Sequence, residues 1–245
     1  MPYAVILAGG YGKRLRPLTL QTPKPLLRIA GKPILHYIIN YLKHYGIDKI
    51  IICISWLALK IIKEFGTGER YGISIVYSNE GDPRGTAGAL RRALELYEYE
   101  LKHEDHFYVL NADVLTDLDL RRLGKALADG LCCIAAVALR CPYGVLSISD
   151  DNYVTDFIEK PVIDGIWINA GIYAMRYGII KYLPERGSLE RDVFPALATK
   201  RLLRCIIYED AEWLSIDTHK DLEEAEKQLP RILRNLGRDL GLHVT

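Results

Sequence analysis

The apolar residues in the first 140 positions of the chain follow two alternating patterns. Short continuous apolar runs are typical of strands buried on both faces of a sheet, and they alternate with segments of helical spacing. The runs predict strands at Tyr3–Ala8, Lys49–Ile54, Ile73–Tyr77, His106–Leu110 and Cys132–Leu139. This alternation predicts an α/β protein with a mostly parallel sheet covered by helices on both faces.

The helical segments lie between these strands. They predict helices at Ile34–Tyr45, Ala58–Phe65, Thr86–Glu98 and Leu118–Ala128. In sheets of this kind ligands bind beyond the carboxyl ends of the strands, so we expect the functional residues to follow the strands directly.

The second half of the chain is richer in strands. Gly144–Ser149 and Val154–Glu159 flank Asp150-Asp151-Asn152, which predicts a hairpin. Further strands are expected at Ile168–Met175 and Leu203–Tyr208, and a closing helix at Asp217–Leu236, broken near Pro230. Because no linker or shift of composition separates the halves, we expect one domain over residues 1–245, divided into 1–140 and 141–245.

Composition narrows the functional classes. A net charge of +1 argues against a broad nucleic-acid interface, and no apolar run approaches the roughly 20 residues that span a bilayer. No signal peptide is visible. The odd number of cysteines and the absence of C-x-x-C pairs predict free thiols and a cytoplasmic protein. The cysteines are Cys53, Cys132, Cys133, Cys141 and Cys205.

The strongest chemical signal is the glycine-rich segment after the first strand. Gly9, Gly10 and Gly12 let the backbone approach a ligand closely, and free N–H groups there can hold phosphate oxygens. The spacing is neither that of a P-loop nor the G-x-G-x-x-G of nicotinamide-dependent dehydrogenases. A plain glycine turn with solvated basic residues is the structural alternative. The neighbouring cations are Lys13, Arg14, Arg16 and Lys24.

The segment Leu7–Leu27 resembles the N-terminal signature of the sugar-1-phosphate nucleotidyltransferase family, and most closely that of mannose-1-phosphate guanylyltransferase-like proteins. Later segments recur in the family's order. They are Gly85-Thr-Ala-Gly88, Asn111-Ala-Asp113, Tyr143-Gly144-Val145, Phe157-Ile-Glu-Lys-Pro161, Asn169-Ala-Gly-Ile-Tyr173 and Trp213-x₃-Asp217-Thr218. The resemblance implies a nucleotide-diphospho-sugar transferase fold, a Rossmann-like three-layer sandwich with a mostly parallel mixed sheet.

The resemblance also implies a role for each matching residue. Residues 1–140 would bind the nucleotide, and residues 141–245 the sugar phosphate. Arg14, Lys24, Asp113 and Lys160 would be catalytic, and Asp113 would hold magnesium. The nucleotide would contact Leu7, Ala8, Gly9, Gly10, Gly12, Lys13, Glu80, Gly85 and Thr86, and the sugar phosphate would contact Gly144, Glu159, Lys160, Asn169 and Gly171.

The implied reaction joins a nucleoside triphosphate to a hexose or heptose 1-phosphate and releases pyrophosphate. A phosphate oxygen of the sugar attacks the α-phosphorus in line. Since this oxygen is already anionic, catalysis requires positioning and charge neutralisation more than a general base. Mg²⁺ bound by a carboxylate and phosphate oxygens would supply part of that neutralisation. The base and the sugar remain open, with guanine favoured by resemblance alone, and a homo-oligomer is possible.

Two departures from the family pattern bear on this expectation. Ala112 replaces a glycine, and it would strain a turn that required positive φ. Ser215 stands where the family has a second metal-binding aspartate, and Asp217, two residues on, is a candidate to replace it. A regulatory homologue that binds nucleotide-sugar with weak catalysis is therefore the alternative function.

Several of these residues also have ordinary structural explanations. In these alternatives Asp113 only caps a turn, and Glu159 and Lys160 only form a solvated ion pair at the end of a strand. Asn169 would satisfy a turn. Glu190 and Asp192 are expected to cap the helix that leads to Phe194 rather than to bind a ligand.

Overall fold

The structure, a computed structural model, describes residues 2–237. The strands in this part of the chain alternate with its helices. The strands are β1 (Ala4–Leu7), β2 (Arg28–Ile29), β3 (Lys32–Pro33), β4 (Lys49–Ile54), β5 (Ser74–Asn79), β6 (Phe107–Asn111), β7 (Val114–Thr116), β8 (Cys132–Arg140), β9 (Gly144–Ile148), β10 (Val154–Glu159), β11 (Val162–Met175), β12 (Leu203–Ile207) and β13 (Trp213–Ser215). The helices are α1 (Ile34–His44), α2 (Ala58–Phe65), α3 (Gly85–Leu96), α4 (Glu98–Lys102), α5 (Leu120–Ala126), α6 (Phe194–Thr199) and α7 (His219–Asn235).

A mixed sheet of seven strands forms the centre of residues 2–237, in the order β12-β8-β11-β6-β1-β4-β5. β1 pairs in parallel with β4 and β6, β4 pairs in parallel with β5, and β12 pairs in parallel with β8. β11 is antiparallel to both of its neighbours, β6 and β8. The predicted mostly parallel sheet is confirmed, with β11 as its antiparallel strand.

Helices cover both faces of the sheet because the strand residues alternate between two cores. Along β1, Ala4 and Ile6 pack in one core, and Val5 packs in the other. The first core takes the apolar faces of α1, α2, α5 and α7, and the second takes those of α3, α4 and α6. A sheet buried on both faces explains the continuous apolar runs in the sequence.

The closing helix differs from its prediction in two respects, where it begins and whether it breaks at Pro230. It begins at His219, after Thr218 and Asp221 form a capping box, so Asp217 lies outside it. The predicted break near Pro230 is wrong, because α7 continues through the proline to Asn235. Pro230 is exposed, while Leu229 and Ile232 on the same helix are buried. Packing of this apolar face outweighs the single hydrogen bond that the proline removes.

The predicted hairpin forms as β9 and β10, joined through Asn152 at a φ of 66°. Its apolar side chains are exposed, and Phe157 keeps 61% of its surface in solvent. The pairing places Leu146 opposite Phe157, and Ile148 opposite Val154. The hairpin therefore presents an apolar face that the described residues leave uncovered.

All five cysteines are free thiols, and Cys53, Cys132 and Cys133 are buried. Burial raises the pKa of Cys133 to about 11, so this thiol stays protonated at neutral pH. Within residues 2–237, no helix has both the length and the apolar character needed to cross a membrane.

Candidate active site

A cleft of about 350 Å³ opens at the carboxyl ends of β1, β5 and β6. This is the edge at which α/β sheets bind ligands, and the volume suits a small molecule. All nine residues predicted to contact the nucleotide line it, together with Arg14, Lys24, Asp113 and Asp217. Its other lining residues are Leu15, Pro25, Pro83, Ala89, Asn111 and Ala112.

The glycine-rich loop has a fixed, left-handed turn at Gly12, where φ is 60°. A Cβ at Gly12 would lie 2.8 Å from Cγ2 of Thr19, and the Thr19 hydroxyl donates to the Gly12 carbonyl over 2.8 Å. Trp56 Nε1 donates in turn to the Thr19 carbonyl. Glycine is thus required at position 12 by both conformation and space.

Glu80 is a buried carboxylate at the wall of this cleft, 7% exposed. Its Oε2 accepts a hydrogen bond from the Arg84 N–H over 2.9 Å, and its Oε1 lies 2.4 Å from where a Cβ at Gly9 would be. Burial raises the pKa of this carboxyl above its usual value, although the hydrogen bond and charge of Arg84 oppose the shift. One oxygen is therefore anchored, and the other faces the glycine loop.

Gly85 starts α3 in a conformation that L-residues avoid, with a φ of 76°. An added Cβ would lie 2.2 Å from the carbonyl oxygen of Gly187, which accepts the Ala87 N–H. Thr86 is also held from this side, because its hydroxyl donates to Glu190 and accepts from the Leu189 N–H. The loop around Gly187 thus holds Gly85 and Thr86, two lining residues of the cleft, in place.

This packing predicts that Gly85→Ala destabilises the fold by about 2 kcal/mol or more, through positive φ and a backbone clash. Gly10→Ala is the matched control, because a Cβ there meets nothing within 4 Å and φ is not positive. We expect the control to change stability by less than about 0.5 kcal/mol. Urea unfolding of both variants measures the difference, and equal midpoints would contradict the role given to Gly85.

Opposite charges converge in the lining of the cleft. Lys24 Nζ donates to Asp113 Oδ2 over 2.5 Å and to Asp217 Oδ1 over 2.9 Å. Arg14 Nη2 lies 2.9 Å from the same oxygen of Asp217. The Lys24 side chain is only 14% exposed, whereas that of Arg14 is 71% exposed. We call these four residues the charge cluster.

Asp217 is held as an anion by this cluster. Burial alone would raise its pKa, but the hydrogen bond and charge of Lys24, together with the charge of Arg14, outweigh burial and lower the pKa. The Ser215 hydroxyl also donates to Asp217 Oδ2, over 3.2 Å. Ser215 therefore orients the carboxylate that stands two residues after it.

Strand pairing brings the two carboxylates together. β13 pairs antiparallel with β7, with Ser215 opposite Val114, and the Ile216 N–H donates to the Asp113 carbonyl over 2.9 Å. Asp221 Oδ2 then accepts from the backbone N–H of Asp217 over 2.9 Å. This pairing, which the apolar pattern did not reveal, places Asp217 in the cleft.

The Ala112 departure is accommodated. Ala112 is buried and does not adopt positive φ, so its turn tolerates a Cβ. Asn111, which precedes it, is a lining residue to which no role was assigned from the sequence. Its position at the last residue of β6 was the available signal, since carboxyl ends of parallel strands face the cleft.

The residues expected to bind the sugar phosphate lie apart from the lining of the cleft. Asn169 accepts the Gly171 N–H and donates to Tyr173, and a Cβ at Gly171 would lie 2.8 Å from Asn111 Nδ2. These residues therefore stand directly behind Asn111.

Three others belong to the hairpin: Gly144 begins β9, and Glu159 and Lys160 stand at the end of β10. Glu159 and Lys160 form an ion pair of 3.3 Å, and both side chains are more than half exposed. Glu190 and Asp192 contact Ser188, which caps their helical turn, and Glu190 also accepts from Thr86.

The cleft combines a glycine loop, adjacent cations and paired carboxylates at the carboxyl edge of a mostly parallel sheet. This is an arrangement with which α/β proteins hold phosphates and nucleotides. The chain belongs to the nucleotidyl transferase family, whose sequence model matches residues 3–231. This result confirms the resemblance found in the sequence motifs.

Individual relatives agree with this assignment. The chain is 35% identical to the mannose-1-phosphate guanylyltransferase catalytic subunit beta of Drosophila pseudoobscura pseudoobscura, over 89% of this chain and 60% of the relative. It is 33% identical to the UTP–glucose-1-phosphate uridylyltransferase of Synechocystis sp., over 95% of this chain and 65% of the relative. The chain thus spans less than two thirds of the length of these relatives.

A solved structure matches more fully. HddC from Yersinia pseudotuberculosis, in a crystal structure described as a complex with GMP-PN, is 28% identical with a TM-score of 0.73. The match covers 94% of this chain and 100% of HddC. The nucleotide-diphospho-sugar transferase fold expected from the sequence is therefore confirmed.

Proposed function

We propose that this protein transfers a guanylyl group from GTP to a hexose or heptose 1-phosphate, with mannose 1-phosphate as the first substrate to test, and releases pyrophosphate. The observation that carries the proposal is the charge cluster beside the glycine loop in one cleft. Family membership and the names of both curated relatives support nucleotidyl transfer to a sugar 1-phosphate, and the name of the Drosophila relative supports guanylyl transfer in particular.

The residues of the cleft divide the work of bringing two anions together. The backbone of the glycine loop approaches the triphosphate, and Arg14 and Lys24 offset its negative charge. Lys160, which lies on the hairpin apart from the lining of the cleft, is the cation that we assign to the phosphate of the sugar. The attacking oxygen is already ionised, so the protein's contribution is alignment of this oxygen with the α-phosphorus and charge stabilisation.

The donor set of the cleft fits Mg²⁺. Asp113 and Asp217 converge on one cationic group, and carboxylate oxygens are the ligands that Mg²⁺ prefers. No cluster of three or more potential metal-ligating side chains occurs among residues 2–237, and Mg²⁺ commonly takes one or two carboxylates plus substrate phosphates. Asp113 and Asp217 would hold the ion, which supplies charge neutralisation at the phosphates when bound.

Glu80 supports guanine as the base. A carboxylate only accepts hydrogen bonds, and guanine presents two adjacent donors, N1–H and the N2 amino group. Uracil and thymine present one donor between acceptors, and adenine presents an amino group beside an acceptor. Oε2 of Glu80 is anchored by the Arg84 N–H, and Oε1 faces the glycine loop as an acceptor. Glu80 therefore favours guanine, the base that presents the most hydrogen-bond donors on its pairing edge.

The function predicts Mg²⁺-dependent pyrophosphate release in an assay of four nucleoside triphosphates against mannose, glucose and heptose 1-phosphates. We expect GTP to give the highest rate. An Asp113→Asn variant, which removes one carboxylate, is the negative control. Calorimetric binding of nucleotide-sugar without turnover in any combination would instead support the regulatory homologue.

We propose two further properties, the location of the protein and its association with copies of itself. The five free thiols favour a reducing cytoplasm. The exposed apolar face of the β9–β10 hairpin favours association of copies of this chain, because monomers seldom leave such faces in water. Light scattering on the purified protein measures its mass, and a monomer at all concentrations would exclude the homo-oligomer.

A further inference from the structure

Two cations of the cleft, Arg14 and Lys24, contact carboxylates. Lys24 Nζ lies between Asp113 and Asp217, within 2.9 Å of both. No other positive side chain contacts Asp113 among the ion pairs of residues 2–237. The ammonium of Lys24 is thus the cation that keeps two neighbouring carboxylates together.

A metal ion held by Asp113 and Asp217 would need the place that this ammonium takes. Like charges a few ångströms apart repel strongly where solvent is partly excluded, so the two cations compete. Lys24 is also too buried to leave without a new partner, since an unpaired buried charge is costly. A triphosphate supplies that partner, because its oxygens accept from an ammonium.

We propose that Lys24 is an internal counter-cation that keeps the metal site closed until a nucleoside triphosphate binds. The inference rests on the proposed function and concerns the order of events at its site. On binding, Lys24 exchanges Asp113 and Asp217 for phosphate oxygens, and the freed carboxylates accept the metal. Lys24 is therefore both a phosphate ligand and a positioning residue for the two carboxylates.

The test measures Mn²⁺ binding to the full chain without nucleotide, by electron paramagnetic resonance of free Mn²⁺. We expect Lys24→Met to bind Mn²⁺ on the order of tenfold more tightly than wild type, or better, because a competing charge is gone. Lys63→Met, an exposed change of equal charge on α2, is the matched control and leaves the affinity unchanged. Arg14→Met should give a smaller gain, since Arg14 contacts Asp217 from an exposed position.

A second variant locates the metal. Adding Asp113→Asn to Lys24→Met should abolish the gain, and a gain that survives would overturn the proposal. Equal Mn²⁺ affinity of wild type and Lys24→Met would also overturn it. In wild type, tight Mn²⁺ binding without nucleotide would contradict it independently of any variant.

Thermal melts check that each variant is folded. If Lys24→Met does not fold, Lys24→Gln keeps a polar group at the site and is judged by the same criteria. Where the inference holds, Mn²⁺ raises the melting temperature of the variant but not that of wild type. These readouts need no turnover, so the two failures are distinguishable. An inactive wild type with a Mn²⁺-binding Lys24→Met would reject the proposed function and leave only Lys24 as the cation that excludes the metal.

Discussion

Glu80→Gln is expected to shift the nucleotide preference from GTP toward UTP and dTTP. With the amide oxygen held at Arg84, the side chain turns an NH₂ donor toward the base in place of a carboxylate oxygen, and this donor complements a carbonyl of uracil or thymine rather than the N1–H and amino group of guanine. Its oxygen can still accept from the Arg84 N–H, which anchors the native side chain over 2.9 Å. The substitution therefore changes the hydrogen-bonding group that faces the cleft and keeps the hydrogen bond from Arg84.

The ratio of kcat/KM for GTP to that for UTP should fall by roughly one to two orders of magnitude, since a paired hydrogen-bond contact discriminates between bases by about 1–3 kcal/mol. Glu80→Ala is the control, because it removes the contact and should lower GTP use without creating a preference for UTP. An unchanged ratio in Glu80→Gln would show that the base is read elsewhere.

The same variant gives a test of folding. Burial raises the pKa of Glu80 in the folded state. Above that pKa the charged side chain lowers the free energy of unfolding, and this loss of stability disappears as the pH falls below the pKa that Glu80 has in the unfolded chain. We expect Glu80→Gln to be more stable than wild type at high pH, and the difference to shrink on acidification. Thermal melts across this range report it.

Asp217→Asn is expected to lower the Mg²⁺-dependent rate by on the order of 100-fold or more, because it removes one of the two carboxylates that balance the cations of the charge cluster and would hold the metal. The hydrogen bonds of the side chain to Ser215 and Lys24 can partly persist with an amide, so the loss isolates the charge. Steady-state kinetics at several Mg²⁺ concentrations measures it.

Ser215 provides the comparison that decides between an active enzyme and a regulator. If Asp217 replaces the family's aspartate, Ser215→Asp brings no gain in rate, and Ser215→Ala costs about tenfold through loss of orientation. Asp210→Asn is the control for Asp217→Asn, because it removes the same charge from an exposed position, and it should leave the rate unaltered. An active Asp217→Asn together with a much faster Ser215→Asp would show that the native metal site is impaired.

The sequence alone determined the architecture of the first 140 residues. Buried parallel strands need continuous apolar runs, and a phosphate loop needs small residues beside cations, so both leave local patterns that can be read directly. Every residue expected at the nucleotide lies in the cleft. Each of these residues belongs to the end of a buried strand or to the segment that follows one, so the apolar pattern locates it.

Only the tertiary structure decided how distant side chains meet. Lys24 and Asp217 are 193 residues apart, and they are joined by the pairing of β7 with β13, two strands too short to show a period. The unbroken passage of α7 through Pro230 likewise depends on burial of its apolar face. Local patterns record what a segment needs from its own neighbours, whereas contacts between segments depend on packing that no single segment encodes.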